Sequence, residues 1–152
     1  MHPNDIERER EVWARVTQRE PESTGERMLQ RLQKERCRQR ETLLLAGQIG
    51  RPDAVALREL AREQFERETS LRALYYLRTG KQATVSPCTP LTVQTMDILT
   101  FLRRLYEGEC AAAEDFARLS ADDARRRERY RALQESAKNG AQMLARMISE
   151  RL

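Results

Sequence analysis

The amino-acid sequence predicts an all-α protein: a four-helix bundle of two antiparallel hairpins joined by a long crossover, with a short helix in front. Three observations carry this. An apolar stripe at 3–4 spacing recurs in four long segments, the signature of helices that bury one face. The connections inside each half are tight, whereas the middle link has ten to twelve residues and two prolines. Period-2 alternation is confined to TVSPCTPLTV, whose prolines demote it as a strand.

Residues 5–20 read as a short amphipathic helix, capped by Asn4 or Asp5, faced by Trp13 and Val16 and ended by Pro21. Residues 1–22 are therefore a helix and linker, and residues 23–152 the bundle. The first bundle helix is expected over about 24–48, with Ser23-x-x-Glu26 as capping box and Gly50 and Pro52 behind it. Its stripe is Met28, Leu32, Glu35, Gln39, Thr42, Ala46, Ile49. The second is expected over about 54–79, with Asp53 as N-cap and Gly80 as stop, and the stripe Leu57, Leu60, Gln64, Arg67, Leu71, Leu74. The third is expected from Thr89-Pro90 or Thr92 to about 119, on Leu99, Leu102, Tyr106, Glu109, Ala113, Phe116, Leu119. The fourth is expected over about 121–151, opened by Ser120, on Tyr130, Leu133, Ala137, Gly140, Leu144, Met147. At ~3.3 Å per residue the middle link reaches roughly 33–40 Å, most of the length of a 25-residue helix at ~1.5 Å per residue.

Composition excludes several classes. The chain has 152 residues, 39% hydrophobic and 34% charged, enough to bury a core and too periodic for wholesale disorder. No apolar run approaches the ~20 residues of a membrane span, and the opening lacks the pattern of a secretory signal. No membrane partner is expected, and a cytoplasmic address is expected by default. The net charge of +4 is spread over interleaved Arg and Glu, with Arg125–Arg127 the one concentrated basic run, so no nucleic-acid partner is expected. Cys37, Cys88 and Cys110 form no C-x-x-C; their odd number suggests reduced thiols, with Cys37 and Cys110 as small packing residues. The sole histidine, His2, lies outside the predicted bundle. This leaves no Ser/His/Asp or Cys/His arrangement in the bundle, and no phosphate-binding glycine loop appears.

The stripes break near the middle of each helix: Glu35 in the first, Gln64 and Arg67 in the second, Glu109 in the third, and the small Ala137 and Gly140 in the fourth. Polar groups on a buried face are costly unless satisfied, so this level marks a site or the remains of one.

The two halves also repeat. ERCRQRETLLLAG and EGECAAAEDFARL share a Glu followed seven residues later by Thr or Phe, and LAREQFERETSLRALYYLRTG and LQESAKNGAQMLARMISERL share an apolar frame. With LRALYYLRTG the most recognisable piece, residues 24–152 resemble the rubrerythrin-like branch of the ferritin-like superfamily; EVWARV looks like the lead-in of small bacterial members. In that branch the odd helices carry Glu-x6-Tyr and the even helices Glu-x-x-His, with Ala after the His, around a di-iron site. The resemblance puts Glu35 and Glu109 at the ligand positions of the odd helices, with Thr42 and Phe116 in the Tyr places. It puts Gln64 and Arg67, and then Ala137 and Gly140, at the Glu and His positions of the even helices, with Ala141 keeping the following Ala.

Two of six ligands thus remain, and both bundle histidines are missing. The standard di-iron site is expected to be lost, leaving Glu35, Gln64, Arg67, Glu109, Ala137 and Gly140 as a vestigial cluster with no catalytic residue. Three arrangements meet the pattern: Arg67 bridging Glu35 and Glu109, Arg67 reaching the surface, or a residual metal site on Glu35 and Glu109. The expected function is a structural or interaction module without a cofactor, as a homodimer or with a protein partner. The alternative is a di-iron or manganese oxidoreductase, or an iron-handling protein, with atypical ligands.

Overall fold

The computed structural model describes residues 23–89 and 96–152. The predicted N-terminal helix of residues 5–20, with Trp13, lies outside them. Among the described residues, four helices make up the bundle: α1 Thr24–Ala46, α2 Asp53–Thr79, α3 Ile98–Asp122 and α4 Arg127–Ser149, with a 3-10 turn Ala124–Arg126 before α4. The described residues are all-helical apart from turns and irregular links.

Local chemistry sets the ends. Ser23 accepts the Glu26 amide at 3.2 Å, as the capping box predicts. Gly80 stops α2 in the left-handed region (φ 72°), where it avoids the Cβ penalty, and donates to the Tyr76 carbonyl at 2.8 Å. Asp53 is the first helical residue of α2 and Pro52 the cap position, one residue earlier than the sequence suggests. The start of α3 differs more. Met96 and Asp97 are not helical, so the helix begins at Ile98 and not at Thr89–Thr92. Asp97 accepts the Thr100 amide at 2.8 Å and its hydroxyl at 3.0 Å, a stronger cap than Thr before Pro. Likewise Ser120 is inside α3, and Asp123 makes the corner. Its carboxylate is 4% exposed and receives the Tyr130 hydroxyl at 3.3 Å and Arg126 at 3.3 Å. Burial and that carboxylate push the Tyr130 phenol well above its usual range.

Ion pairs give the helix directions. Arg36 of α1 meets Glu68 of α2 at 3.1 Å, while Gly25 lies against Thr79 and Tyr75, so α1 and α2 are antiparallel. Arg27 pairs with Asp122, Arg31 with Asp115 at 2.9 Å and Glu41 with Arg104 at 2.9 Å, so α1 and α3 are antiparallel too. The interleaved Arg and Glu residues therefore tie helices together as well as pairing along each helix. Glu41 and Glu68 are nearly buried and each is flanked by two arginines.

The apolar core falls into two clusters. One contains Met28, Leu32, Leu71, Leu74, Phe116 and Tyr130; the other contains Leu45, Leu57, Leu60, Phe101, Leu105 and Leu144. The stripes of α2 and α4 are buried throughout. On α3 the inward residues before Glu109 are Leu105, Leu102 and Phe101, while Tyr106 is 36% exposed and Leu99 half-buried. The position four residues before Glu109 faces inward and not the one three before, a choice 3.6-residue periodicity leaves open.

The thiols differ from expectation. Cys37 and Cys88 form a disulfide with Cα atoms 5.6 Å apart, and Cys110 alone is free. Fifty-one residues separate the pair in sequence, but the link after α2 folds back over α1, with Ala83 and Val85 packed on the first core cluster. Such bonds persist in oxidising surroundings, so the cysteine count no longer argues for a reducing compartment. No helix among the described residues is long and apolar enough to cross a membrane.

Candidate functional site

The level between the two apolar clusters is ionic. Glu35, Gln64, Arg67 and Glu109 are each no more than 1% exposed, and α1, α2 and α3 bring them together. Arg67 reaches across the bundle. Its Nη2 donates to Glu109 Oε2 at 2.7 Å and Oε1 at 2.9 Å, and its Nε is 3.5 Å from Glu35 Oε2. Gln64 Nε2 donates to Glu109 Oε1 at 3.1 Å. One guanidinium edge thus faces two carboxylates, as a fork of fixed donors can.

The two carboxylates are not equivalent. Glu109 accepts three hydrogen bonds. Neither Glu35 oxygen has a hydrogen bond of good geometry, although Arg31 Nε is 3.3 Å from Oε1. Desolvation raises the Glu35 carboxyl above its ordinary value of 4.5, outweighing the pull of Arg67 and Arg31. Gln64 Oε1 and Arg67 Nη1 are also buried without a partner.

Arg31 is a further member of this cluster, outside the apolar stripe of α1. It is 2% exposed and joins buried Glu35 to Asp115, whose side chain is 30% exposed. A run of opposite charges therefore extends from Asp115 through Arg31, Glu35 and Arg67 to Glu109. The signal lay in the spacing: Arg31 is three residues after Met28 and four before Glu35, on the same face.

The small residues of α4 act differently from each other. A Cβ on Gly140 would collide with Glu109 Oε2 and sit 2.9 Å from Leu60 Cδ1. Gly140 thus gives room to the Glu109 carboxylate. Ala137 is fully buried in the first apolar cluster. Thr42 is buried and bonds its hydroxyl back to the Arg38 carbonyl at 2.8 Å, and Phe116 packs in the first cluster.

The donor set does not fit a di-metal centre. Glu35 and Glu109 are the buried carboxylates that meet here, a guanidinium contacts each, and no three His, Cys, Asp or Glu side chains converge among the described residues. A divalent cation between Glu35 and Glu109 would have to displace Arg67 and stand beside Arg31.

No family model matches the chain, and no curated protein matches it. Among solved structures, a hypothetical protein from Pyrococcus furiosus is similar, with a TM-score of 0.72 and 20% identity over 84% of this chain and 89% of that one. At that identity the likeness extends to the fold alone.

Proposed function

We propose that this protein is a ferritin-like bundle whose di-metal level has been taken over by arginine, and that it works as a structural or interaction module and not as an oxidoreductase. The observation that carries this reading is Arg67 bridging Glu35 and Glu109 at the position where the resemblance puts a metal ligand. The ion pairs support the ferritin-like topology: α1 is antiparallel to both α2 and α3, so α2 and α3 run the same way, as two hairpins joined by a long crossover require. Phe65 and Tyr76, each 55% exposed on α2, are apolar side chains that an interaction module could offer to a second copy or another protein. The test is metal loading. Protein incubated anaerobically with iron(II) or manganese(II), desalted and analysed by mass spectrometry should carry far less than stoichiometric metal. About two ions per chain, with an oxo-bridge absorption band after oxygen, would establish the oxidoreductase instead.

A further inference from the structure

The basic run singled out in the sequence has a place in the fold that the central cluster does not explain. A surface cavity of about 540 Å³ lies where the 3-10 turn meets the start of α4 and the end of α2. Its wall includes Leu77, Arg125, Arg126, Arg127 and Arg129. Arg126 is anchored: it donates to the Leu77 carbonyl at 3.2 Å and pairs with Asp123 at 3.3 Å. Asp123 is already shared with Arg78 at 3.8 Å and the Tyr130 hydroxyl at 3.3 Å. The acid among these arginines, Glu128, pairs with Arg131 at 3.2 Å. The side chains of Arg125, Arg127 and Arg129 are exposed and have neither an ion pair nor a hydrogen bond to any described residue. Arg125 from the 3-10 turn and Arg129 from α4 meet at the wall of the same cavity, so the turn gathers like charges there.

We infer that this cavity binds a small ligand carrying two or more phosphate groups. Guanidinium forks match phosphate oxygens in pairs, and several forks around one hollow suit a polyanion better than a single charge. The hollow has the volume of a small-molecule site, which is typically ~300–1,000 Å³. Elsewhere Arg and Glu alternate, so the basic surface stays local and does not extend into the stripe that tracks a nucleic-acid backbone.

The experiment is titration calorimetry with inorganic triphosphate at low ionic strength, with sulfate and duplex DNA at equal anion concentration as comparisons. The expected result is one-to-one binding of triphosphate, tighter than sulfate and weakening as salt rises. Arg125→Ala and Arg127→Ala should each weaken it by about tenfold or more. Neither side chain has an ion pair or a hydrogen bond to a described residue, so both variants should melt with the wild type, and Arg125→Lys should keep part of the affinity. The inference is overturned if triphosphate binds no tighter than sulfate, or if the alanine variants bind as the wild type does. It is equally overturned if DNA binds more tightly than triphosphate through the same arginines, which would make this a nucleic-acid surface.

Discussion

Replacing Arg67 with methionine isolates the charge at the centre of the bundle. Methionine keeps an unbranched stem in the buried channel, so the volume lost is small and the change is chiefly electrostatic. In the wild type, Arg67 supplies two of the three hydrogen bonds on Glu109 and one of the two cationic contacts on Glu35. Without it, Glu109 keeps only the amide of Gln64 and stands beside Glu35 with Arg31 as the nearest counter-charge. Breaking a buried pair from one side costs about 3–5 kcal/mol, mostly the desolvation of the stranded charge. At about 2–4 °C per kcal/mol for a domain of this size, the melting temperature should fall by about 6–20 °C at pH 7. The deficit should narrow toward about pH 4, because the Glu35 carboxyl, raised by burial, then takes up a proton and no longer repels Glu109. Adding Glu109→Gln should recover part of the loss, because the stranded charge is then gone. Thermal unfolding followed by circular dichroism over that pH range checks each point. An Arg67→Met protein that melts within about 2 °C of the wild type at neutral pH would refute the buried bridge.

The other predictions follow from neighbouring contacts. Glu109→Gln should destabilise more than Glu35→Gln at pH 7, because Glu109 accepts three hydrogen bonds and the Glu35 oxygens accept none of good geometry; denaturant midpoints would show the order, and the reverse order would contradict the asymmetry. Burial holds the folded Glu35 pKa above 4.5, so its contribution is fully present below 4.5 and lost as pH rises through the folded value; Glu35→Gln should therefore gain stability relative to wild type with rising pH, and parallel stability curves would show that Glu35 does not titrate this way. Gly140→Ala should cost about 1–3 kcal/mol in urea unfolding, since its methyl takes the place of the Glu109 carboxylate; a neutral substitution would mean that the carboxylate lies elsewhere. Reducing Cys37–Cys88 opens a loop spanning 51 residues and should lower stability by about 4 kcal/mol on the chain-entropy model; an unchanged melting temperature, with three free thiols counted, would show that the bond contributes nothing.

The helices and the polar level were legible because both depend on local spacing. The 3–4 rhythm locates Glu35, Gln64, Arg67 and Glu109 on inward faces, and all four are buried. Arg31 escaped because an arginine among QRLQKERCRQR looks like part of a solvated face, and its burial depends on Asp115 arriving from α3. Tyr106 and Leu105 could not be ranked, since positions three and four residues before Glu109 fit the period about equally. The disulfide was invisible for a different reason: Cys37 and Cys88 meet only through the course of the link, and no local pattern records a contact between residues 51 apart. The start of α3 was misplaced because Thr-Pro is a recognisable opening, while the stronger Asp97-x-x-Thr100 cap begins eight residues after Thr89.

Arg67 puts a guanidinium between Glu35 and Glu109, where a di-metal protein would hold its ions. Anomalous diffraction from crystals grown with excess iron(II) or manganese(II) tests it directly. Arg67 density should contact both carboxylates, with no anomalous peak at that level. A peak coordinated by Glu35 and Glu109, with Arg67 swung away, would contradict it.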